Sequence, residues 1–396
     1  MNKHLNLHKD RSILNTQLPL RFVHVVRRFG PVGGMERYVW ELSTQLQQLG
    51  HLITVVCERS YVVKPHGITV IELGEVAPRP RWVAALRFDH RFSRWLESNP
   101  QPNSIIFSHE RISSHDITTF HGSLFASVLE KPWWKLISLR IAMQLFLERR
   151  ELANSIFIIP NSYQIKKLVA HYYPDYSYKL TDPITPGVAS SSVRKFKKVP
   201  TNGGVIGFVG KEWKRKGLQF AVEIVEQLQK SRPNLQFVVV GPAASEVRHL
   251  FSNWSGGFVL TEWYGQVDYS QFDVLIHPAK IEPYGMVISE AMAAKVPVVV
   301  SDACGASDDV SAEAGSILSL DSPVKNWVEA LNNQLNRKNH VPQFIRSWND
   351  VAQEYVLVCN ELIKQSRFGT SVPSDIVEEV PDISSACTQI GLTRHS

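Results

Sequence analysis

The chain has 396 residues, 44% of them hydrophobic and 20% charged, which is typical of a folded globular protein long enough for two α/β domains. A formal net charge of +6 and a pI near 9.0 fit anionic substrates or an anionic membrane surface and do not require nucleic acid. No apolar run approaches the roughly 18 residues of a membrane span, and the four cysteines show no metal-binding or disulfide-framework spacing.

The beginning of the chain and its cysteines bear on localisation. Residues 1–20 are polar, lack the apolar core of a secretory signal and are predicted to form a flexible extension. Cys57 and Cys304 each end a strand-like run, so both are predicted to be buried thiols in a reducing compartment. These features predict a cytoplasmic protein, at most peripheral on the inner face of the cytoplasmic membrane.

The first half of the chain, residues 21–190, alternates predicted strands with predicted helices. A short apolar strand at 22–26 leads into the glycine-rich loop 30–34. From Met35 to Leu49 apolar residues recur at helical spacing and Gly50 follows, so a helix capped by glycine is predicted there. A second helical stretch is predicted from Trp133 to Leu152. Further strand candidates lie at 53–57, 69–73, 105–108, 117–120 and 156–159.

The second half repeats this order. Residues 191–204 are rich in Ser, Lys, Pro, Asn and Gly and are predicted to be a linker. Residues 205–346 then contain a strand at 205–210, a helix near 217–229 and a strand at 235–240. A C-terminal helix is predicted at 347–365, with a flexible tail at 366–396. This alternation predicts two doubly wound, Rossmann-like α/β domains that face each other across a cleft.

Within the second domain, residues 281–293 give the strongest functional signal. Glu282 and Glu290 stand eight positions apart, with Pro283 and Gly285 between them and apolar runs on both sides. Pro283 favours a loop, and a helix is predicted to start near Gly285. A phosphate bound at the start of that helix, with the two carboxylates accepting hydrogen bonds from sugar hydroxyls, would explain the pattern. The alternative is an ordinary helix with a glutamate near its N-terminus.

This segment resembles the E-x7-E signature of the retaining glycosyltransferases of family 4, which have the GT-B fold. The resemblance implies that Glu290 binds the ribose of a nucleotide diphosphate sugar and that Glu282 contacts the transferred sugar. It further implies that the C-terminal helix returns to the first domain. The residues between the two glutamates that it assigns to donor binding are Tyr284, Gly285, Met286 and Val287.

A second motif, the loop 210–217, carries four cations between a strand and a helix. Such crowding of like charges is relieved by a bound anion such as a diphosphate, or by solvent alone. The loop resembles the phosphate-binding loop of the same family, and Lys216 matches the lysine that neutralises the leaving diphosphate. Lys214 and Lys211 are the candidates for a second cation.

No cofactor or metal is expected beyond the donor substrate. The chain contains no D-x-D sequence, and no His or Cys cluster has metal-ligand spacing. The sequence therefore predicts that Lys216 and helix N-termini stabilise the leaving group without a metal ion.

The first domain supplies the remaining candidates. Gly33 and Gly34 precede the first helix and resemble the loop with which family members approach the donor phosphates. His121 follows a predicted strand and matches the family histidine that faces the donor sugar, although a plain loop histidine is the alternative. Glu110 and Arg111 end another strand and are candidates for acceptor binding.

The stretch 131–150 mixes tryptophans with cations and suits a membrane interface. A buried core helix with a basic outer face explains the same pattern, and both interpretations stay open.

The resemblance implies a retaining hexosyltransferase that moves a sugar to a hydroxyl of a glycan or glycolipid, and the lack of a metal-binding motif predicts that it is metal-independent. The segments 33–37 and 107–111 resemble bacterial transferases of lipopolysaccharide-core or surface-polysaccharide synthesis. The alternatives are a GT-B sugar-nucleotide epimerase and a catalytically silent sugar-nucleotide-binding relative. A dinucleotide oxidoreductase is disfavoured because Gly30, Gly33 and Gly34 have the wrong spacing for that fingerprint.

Overall fold

The computed structural model of the protein describes residues 19–367 except 64, 190, 191, 255, 263 and 264. Most strands in these residues belong to two six-stranded parallel sheets. Two further strands of two residues each, Arg28–Phe29 and Arg59–Ser60, pair with each other and form a separate small sheet.

In the first sheet, the order of the strands reverses beside the first strand of the chain. Its strands are β1 (Arg21–Val25), β2 (Leu52–Cys57), β3 (Ile68–Glu72), β4 (Ser104–Ser108), β5 (Ile117–Phe120) and β6 (Phe157–Pro160). They lie side by side in the order β3-β2-β1-β4-β5-β6. Val25 pairs with Ser108, so the carboxyl ends of β1 and β4 lie next to each other at the reversal. Ligands of open α/β sheets bind at this place.

The second sheet repeats the same topology. Its strands are β7 (Gly203–Val209), β8 (Asn234–Gly241), β9 (Phe258–Glu262), β10 (Val274–His277), β11 (Val298–Ser301) and β12 (Gly315–Leu318). Their order is β9-β8-β7-β10-β11-β12, with the reversal between β7 and β10. Both sheets therefore have the strand order of a Rossmann-like domain, which confirms the predicted fold class.

Nine α-helices lie between or after these strands along the described chain, and several of them bury an apolar face. They are α1 (Gly34–Gln48), α2 (Arg81–Ser98), α3 (Leu139–Asn154), α4 (Tyr163–Tyr172), α5 (Leu218–Gln229), α6 (Ala244–Val247), α7 (Met286–Ala293), α8 (Val324–Leu335) and α9 (Trp348–Arg367). In α1, for example, Val39, Leu42 and Leu46 are fully buried at helical spacing. None of the helices in the described part of the chain has both the length and the apolar composition that a membrane crossing requires.

The predicted helix from Trp133 to Leu152 is wrong at its start. The chain instead forms a 3-10 helix at Phe125–Glu130 and a second at Trp133–Lys135, and α3 begins only at Leu139. Pro132 stands before the second 3-10 turn, and Trp133 is 70% exposed, so no burial holds this stretch in a longer helix.

Other predicted limits differ by a few residues. Strand β7 begins at Gly203, inside the predicted linker, and α9 continues through residues 366 and 367, which were assigned to the tail. The predicted N-terminal extension up to residue 18 and the tail from residue 368 onward lie outside the described residues. Cys57 and Cys304 are buried free thiols, as predicted.

Candidate functional site

The two charged motifs of the second half meet at the carboxyl end of the second sheet. Lys216 Nζ lies 2.8 Å from Glu282 Oε2. Glu282 is only 7% exposed, so this ion pair is largely removed from water. Burial alone would raise the pKa of Glu282, but the adjacent His277 and the charges of Lys216 and Arg215 lower it well below its usual range. The carboxylate is therefore ionised at neutral pH.

Glycine at the end of β7 makes room for the lysine. Gly210 has φ +155°, and a Cβ built on it would lie 2.2 Å from Lys216 Cδ. Any side chain at position 210 would displace the aliphatic part of Lys216. The lysine is thus held against the strand end by its own loop.

Arg215 is the second cation at Glu282. Its Nη1 atom lies 3.3 Å from Glu282 Oε2 and also donates a hydrogen bond to the Ile281 carbonyl at 2.5 Å. Lys214, which the sequence suggested for this position, is exposed and lies with Nζ 5.1 Å from the centroid of the Trp213 ring. The second cation beside Glu282 is therefore Arg215, whereas the sequence analysis left this position open between Lys214 and Lys211. A contact of Lys214 with the donor stays a prediction.

His277 lies beneath the same carboxylate. It ends β10, is fully buried, and places Nε2 3.5 Å from Glu282 Oε2. Neither ring nitrogen has a hydrogen-bond partner among the residues described. Burial lowers the pKa of His277, so the ring is neutral, and its Nε2 atom faces the Glu282 carboxylate.

The loop between β10 and α7 is shaped by one glycine and one hydroxyl. Gly285 has φ +99°, a conformation that favours glycine, and α7 begins at the next residue. Ser162 caps α4 by accepting from the Ile165 amide, and its hydroxyl also donates to the Pro283 carbonyl at 2.7 Å. This bond ties the loop to the first half of the chain.

Among the predicted donor residues, the backbone amides of Met286 and Val287 lie in the first turn of α7, where amides have no intrahelical partner. Tyr284 is 2% exposed, and its hydroxyl bonds Ser289 at 2.7 Å and Asp309 at 2.9 Å. The Tyr284 side chain therefore holds the loop in place. The predicted contact of Tyr284 with the donor stays a prediction for its backbone atoms.

Glu290 accepts hydrogen bonds from both halves of the chain. Its Oε1 atom receives Arg37 Nη1 at 2.6 Å, and its Oε2 atom receives the Tyr269 hydroxyl at 2.5 Å. Each carboxylate oxygen can accept two hydrogen bonds, so each keeps one lone pair for a ligand hydroxyl. Arg37 belongs to the first turn of α1, directly after Gly33 and Gly34. The two predicted donor motifs thus lie on either side of one carboxylate.

The glycine pair is packed against an ion pair. A Cβ on Gly33 would lie 2.2 Å from Glu36 Oε2, whereas Gly34 has open space around it. Glu36 in turn forms a salt bridge with Arg28. Gly33 therefore permits close packing of the loop, and Gly34 leaves its backbone approachable.

The first half also contains a cavity of about 640 Å³ at the carboxyl ends of β1, β4 and β5. His121, Glu110 and Arg111 all line it, so the predicted sugar-facing and acceptor-binding residues share one site. Arg111 is anchored by Glu148 at 2.7 Å. His121 contacts His109 and Thr119 through Nε2, at 3.0 and 2.8 Å.

Two carboxyl groups of this cavity have unusual acidity. Burial raises the pKa of Glu110 to about 7, against the opposing charge of Arg27. Burial likewise raises the pKa of Glu151 to about 8, against the opposing charge of Arg111. Both groups can exist as hydrogen-bond donors near neutral pH.

The sequence missed four residues of this arrangement. Arg215 lay in the cationic loop but was not chosen, and His277 stood at a strand end, where such residues bind ligands. Arg37 and Tyr269 had no local signal for their contact with Glu290, because that contact joins distant parts of the chain.

Solved structures with the same architecture include a glycosyltransferase and a protein in complex with UDP. WaaG, described as a glycosyltransferase involved in lipopolysaccharide biosynthesis, superposes with a TM-score of 0.68 at 17% identity, over 84% of this chain and 94% of its own. HepE of Anabaena, in complex with UDP and glucose, superposes with a TM-score of 0.60 at 15% identity, over 88% and 99%. At these identities the likeness shows the fold alone, which is the two-domain GT-B fold.

Family models match both halves. One described as "Glycosyl transferases group 1" matches residues 203–337, and one described as "Glycosyltransferase Family 4" matches residues 32–188. Together they cover well over half of the chain. The protein therefore belongs to the family 4 glycosyltransferases.

Two curated mannosyltransferases are also similar in sequence. A GDP-mannose-dependent alpha-mannosyltransferase of Mycolicibacterium smegmatis is 25% identical over 52% of this chain and 55% of its own length. A phosphatidyl-myo-inositol mannosyltransferase of Mycobacterium leprae is 25% identical over 69% of this chain and 76% of its own. The chain thus spans about half the length of the first of these relatives and three quarters of the second.

Proposed function

We propose that the protein transfers a hexose, with retention at the anomeric carbon, from a nucleotide diphosphate sugar to a hydroxyl of a glycan or glycolipid. The observation that carries this proposal is the convergence of Lys216 and Arg215 on Glu282 beside the N-terminus of α7. Two cations and a helix start at one place form a site for a diphosphate that bears a sugar.

On the donor side, Lys216 carries three N–H groups and gives one of them to Glu282. The other two are available to the diphosphate, whose charge grows as the bond to the sugar breaks. Glu282 uses Oε2 for its contacts with Lys216, Arg215 and His277, which leaves Oε1 for a sugar hydroxyl. Glu290 receives the ribose hydroxyls on its two remaining lone pairs.

The positions of Lys216 and Arg215 also support the proposal that transfer needs no metal ion. Stabilisation of a leaving diphosphate needs positive charge at the oxygens, which these two side chains provide. We propose that no metal ion and no cofactor take part beyond the donor itself.

On the acceptor side, the cavity beside β4 and β5 receives the acceptor, with Glu110 and Arg111 as its polar contacts and His121 next to the transferred sugar. The acceptor class is proposed from the relatives, whose names include a phosphatidyl-myo-inositol mannosyltransferase and a capsular polysaccharide biosynthesis glycosyltransferase of Staphylococcus aureus. Synthesis of lipopolysaccharide or another surface polysaccharide fits this class.

A glycolipid acceptor would require contact with a membrane. The surface formed by Trp133, Trp134, Ile137 and Leu139, here the Trp133 patch, exposes these four side chains by 61 to 75%. Lys131 and Arg140 are exposed on either side of it. Large apolar side chains flanked by cations suit an anionic bilayer, so we propose that this patch holds the enzyme on a lipid surface.

Vesicle flotation tests this membrane contact. The protein should float with vesicles that contain phosphatidylglycerol and bind pure phosphatidylcholine vesicles less. The double variant Trp133→Ser/Trp134→Ser should lose flotation, while Ile345→Ser, which removes another side chain that is 83% exposed, should keep it. Equal flotation of the double variant would show that the patch does not bind lipid.

The transfer reaction is tested with a panel of nucleotide sugars as donors. Membranes or glycans extracted from the cells that produce the protein serve as the source of acceptor. Coupling constants of the anomeric proton in the product, measured by NMR, should match those of the donor. Inversion of the anomeric configuration would overturn retention. Epimerisation of the sugar nucleotide without transfer would favour the epimerase alternative.

A further inference from the structure

Three histidines from three neighbouring strands or strand ends form a continuous row behind the cavity. His24 Nδ1 lies 3.0 Å from His109 Nε2, and His109 Nδ1 lies 3.0 Å from His121 Nε2. Thr119 Oγ1 lies between the last two rings, 2.6 Å from His109 Nδ1 and 2.8 Å from His121 Nε2. The row begins in the core, since His24 is fully buried, and ends at the cavity that His121 lines.

The rings are neutral. Burial lowers the pKa of His24 to about 3 and that of His121 to about 3, and it lowers the pKa of His109 well below its usual range. His24 lies between the rings of Phe22 and Phe107, at 6.2 and 5.3 Å between centroids, which offer no polar partner. Each imidazole therefore carries one N–H and one bare nitrogen.

Neutral rings in this row allow two consistent sets of hydrogen bonds. In the first, His24 Nδ1 donates to His109 Nε2, His109 Nδ1 donates to Thr119, and the Thr119 hydroxyl donates to His121 Nε2. In the second, every one of these bonds is reversed. Thr119 Oγ1 also lies 3.3 Å from the Ser108 carbonyl, to which its hydroxyl could donate while it accepts from both rings. That set is unfavourable, because His109 Nδ1 and His121 Nε2 would both carry protons and their N–H groups would face each other at 3.0 Å.

The two sets differ at both ends of the row. His24 Nε2 has no hydrogen-bond partner among the described residues. In the first set this nitrogen is a bare acceptor, and in the second it is an unpaired buried N–H. Unpaired buried N–H groups are rarer in proteins than under-satisfied acceptors, so the first set is favoured. The bonds of His121 all use Nε2, which leaves Nδ1 for a ligand.

We propose that His24, His109 and Thr119 are positioning residues that hold His121 in the tautomer protonated at Nδ1, so that it offers a hydrogen-bond donor to the substrate. This inference rests on the proposed function for the identity of the substrate, but the tautomer itself does not. In this role His121 donates to an oxygen of the donor sugar or acceptor and does not remove a proton from the acceptor.

Histidine-selective ¹⁵N labelling and long-range ¹H–¹⁵N NMR test the proposal on the full chain without substrate. The His121 signal is assigned by its loss in His121→Gln. We expect the pattern of a ring protonated at Nδ1, retained in Thr119→Ser, which keeps the hydroxyl. Thr119→Val, which removes only the hydroxyl at nearly constant volume, leaves the direct contact of His109 Nδ1 with His121 Nε2 at 3.0 Å. Addition of His24→Phe to this variant removes the donor to His109 Nε2 and should give a mixture of tautomers. A wild-type ring protonated at Nε2 would overturn the proposal.

Activity separates this role from a structural one. His24→Phe should lower kcat roughly ten- to a hundredfold, the range typical when a partner that orients a functional histidine is removed, with little change in the KM for the donor. His24→Asn, whose amide can still donate near the position of Nδ1, should recover most of kcat. Equal loss in both variants with a lowered melting temperature would show packing alone. Were the proposed transfer activity absent, the NMR result would still decide the tautomer.

Discussion

Arg37 donates a hydrogen bond from Nη1 to Glu290 Oε1 at 2.6 Å, although 253 positions separate the two residues in sequence. The arginine is in the first turn of α1, and the glutamate is in α7. This bond orients the carboxylate and leaves one lone pair on each oxygen, which in the proposed function receives the ribose of a donor.

Removal of either partner should therefore weaken donor binding. Glu290→Ala should raise the dissociation constant of the nucleotide sugar roughly ten- to a hundredfold, since a hydrogen bond to a charged group contributes about 1.5–3 kcal/mol. Arg37→Ala should raise it about tenfold, because the carboxylate loses its orientation. Calorimetric titration measures both constants. In the double variant the effects should be smaller than their sum, and fully additive effects would mean that the two residues act independently.

Transfer activity should survive removal of divalent metal ions. In the proposed function, Lys216 and Arg215, which both contact Glu282, supply the positive charge that a metal would otherwise provide. Product formation is measured after dialysis against EDTA and again after addition of Mg²⁺. Complete loss that Mg²⁺ reverses would contradict the metal-free proposal.

The acidity of Glu151 predicts a pH dependence of stability. Burial raises the pKa of this carboxyl from 4.5 to about 8, so the folded protein binds the proton more tightly than the unfolded chain. Stability from this group is complete below pH 4.5 and declines as the pH rises to about 8. Glu151→Gln keeps an acceptor for the Thr118 hydroxyl but has no proton to lose.

The difference in the free energy of unfolding between Glu151→Gln and wild type should therefore shift in favour of the variant by about 2 kcal/mol from pH 6 to pH 9. Melting temperatures of both proteins at the two pH values measure this gain, and Glu223→Gln, an exposed glutamate on α5, is the control. A difference that does not change with pH would show that Glu151 is ionised throughout.

The end of α7 offers a stabilising substitution. Lys295 has φ +58°, and its amide donates to Met292 while the Val296 amide donates to Ala291, which is the hydrogen-bond pattern of a Schellman cap. A non-glycine residue in this conformation costs about 1 kcal/mol. Lys295→Gly should therefore stabilise the protein by about 1 kcal/mol in chemical denaturation.

Ala294→Gly is the matched control for this substitution. Ala294 has φ −77° and is fully buried, so glycine there should destabilise the protein by about 1 kcal/mol. Destabilisation by Lys295→Gly as well would show that contacts of the lysine side chain outweigh the backbone strain.

Elements with a clear local pattern could be predicted from the sequence. The strand at Ile117–Phe120 and the start of α7 at Met286 agree with prediction, because a buried apolar run and the Pro283–Gly285 loop mark them. Helix α2 was missed although Ala84, Phe88 and Phe92 are buried at helical spacing, so the signal was present. The stretch from Trp133 to Leu139 was predicted to be helical, with a buried and a membrane-facing helix both left open. Its residues Trp133, Trp134, Ile137 and Leu139 are exposed and lie before the start of α3 or at it.

The site was predictable in its motifs but not in its contacts. Glu282 and Lys216 came from local patterns, and the structure brings them together. The contact of Arg37 with Glu290 depends on how the two halves pack, which no local spacing encodes. The choice of Arg215 beside Glu282 depends on the direction of consecutive side chains in one loop, which composition does not fix.

In the proposed function, Lys216 lies at the phosphate site of a nucleotide diphosphate sugar. Calorimetric titration of the protein with UDP, GDP, ADP, their common sugar conjugates and NAD tests it most directly. The variants are Lys216→Ala and, as a control, Lys325→Ala, which removes an exposed lysine from α8. We predict that one diphosphate class binds selectively, about tenfold or more weakly to Lys216→Ala and unchanged to Lys325→Ala. Absence of nucleotide binding to folded wild-type protein, or equal binding to Lys216→Ala, would contradict the account.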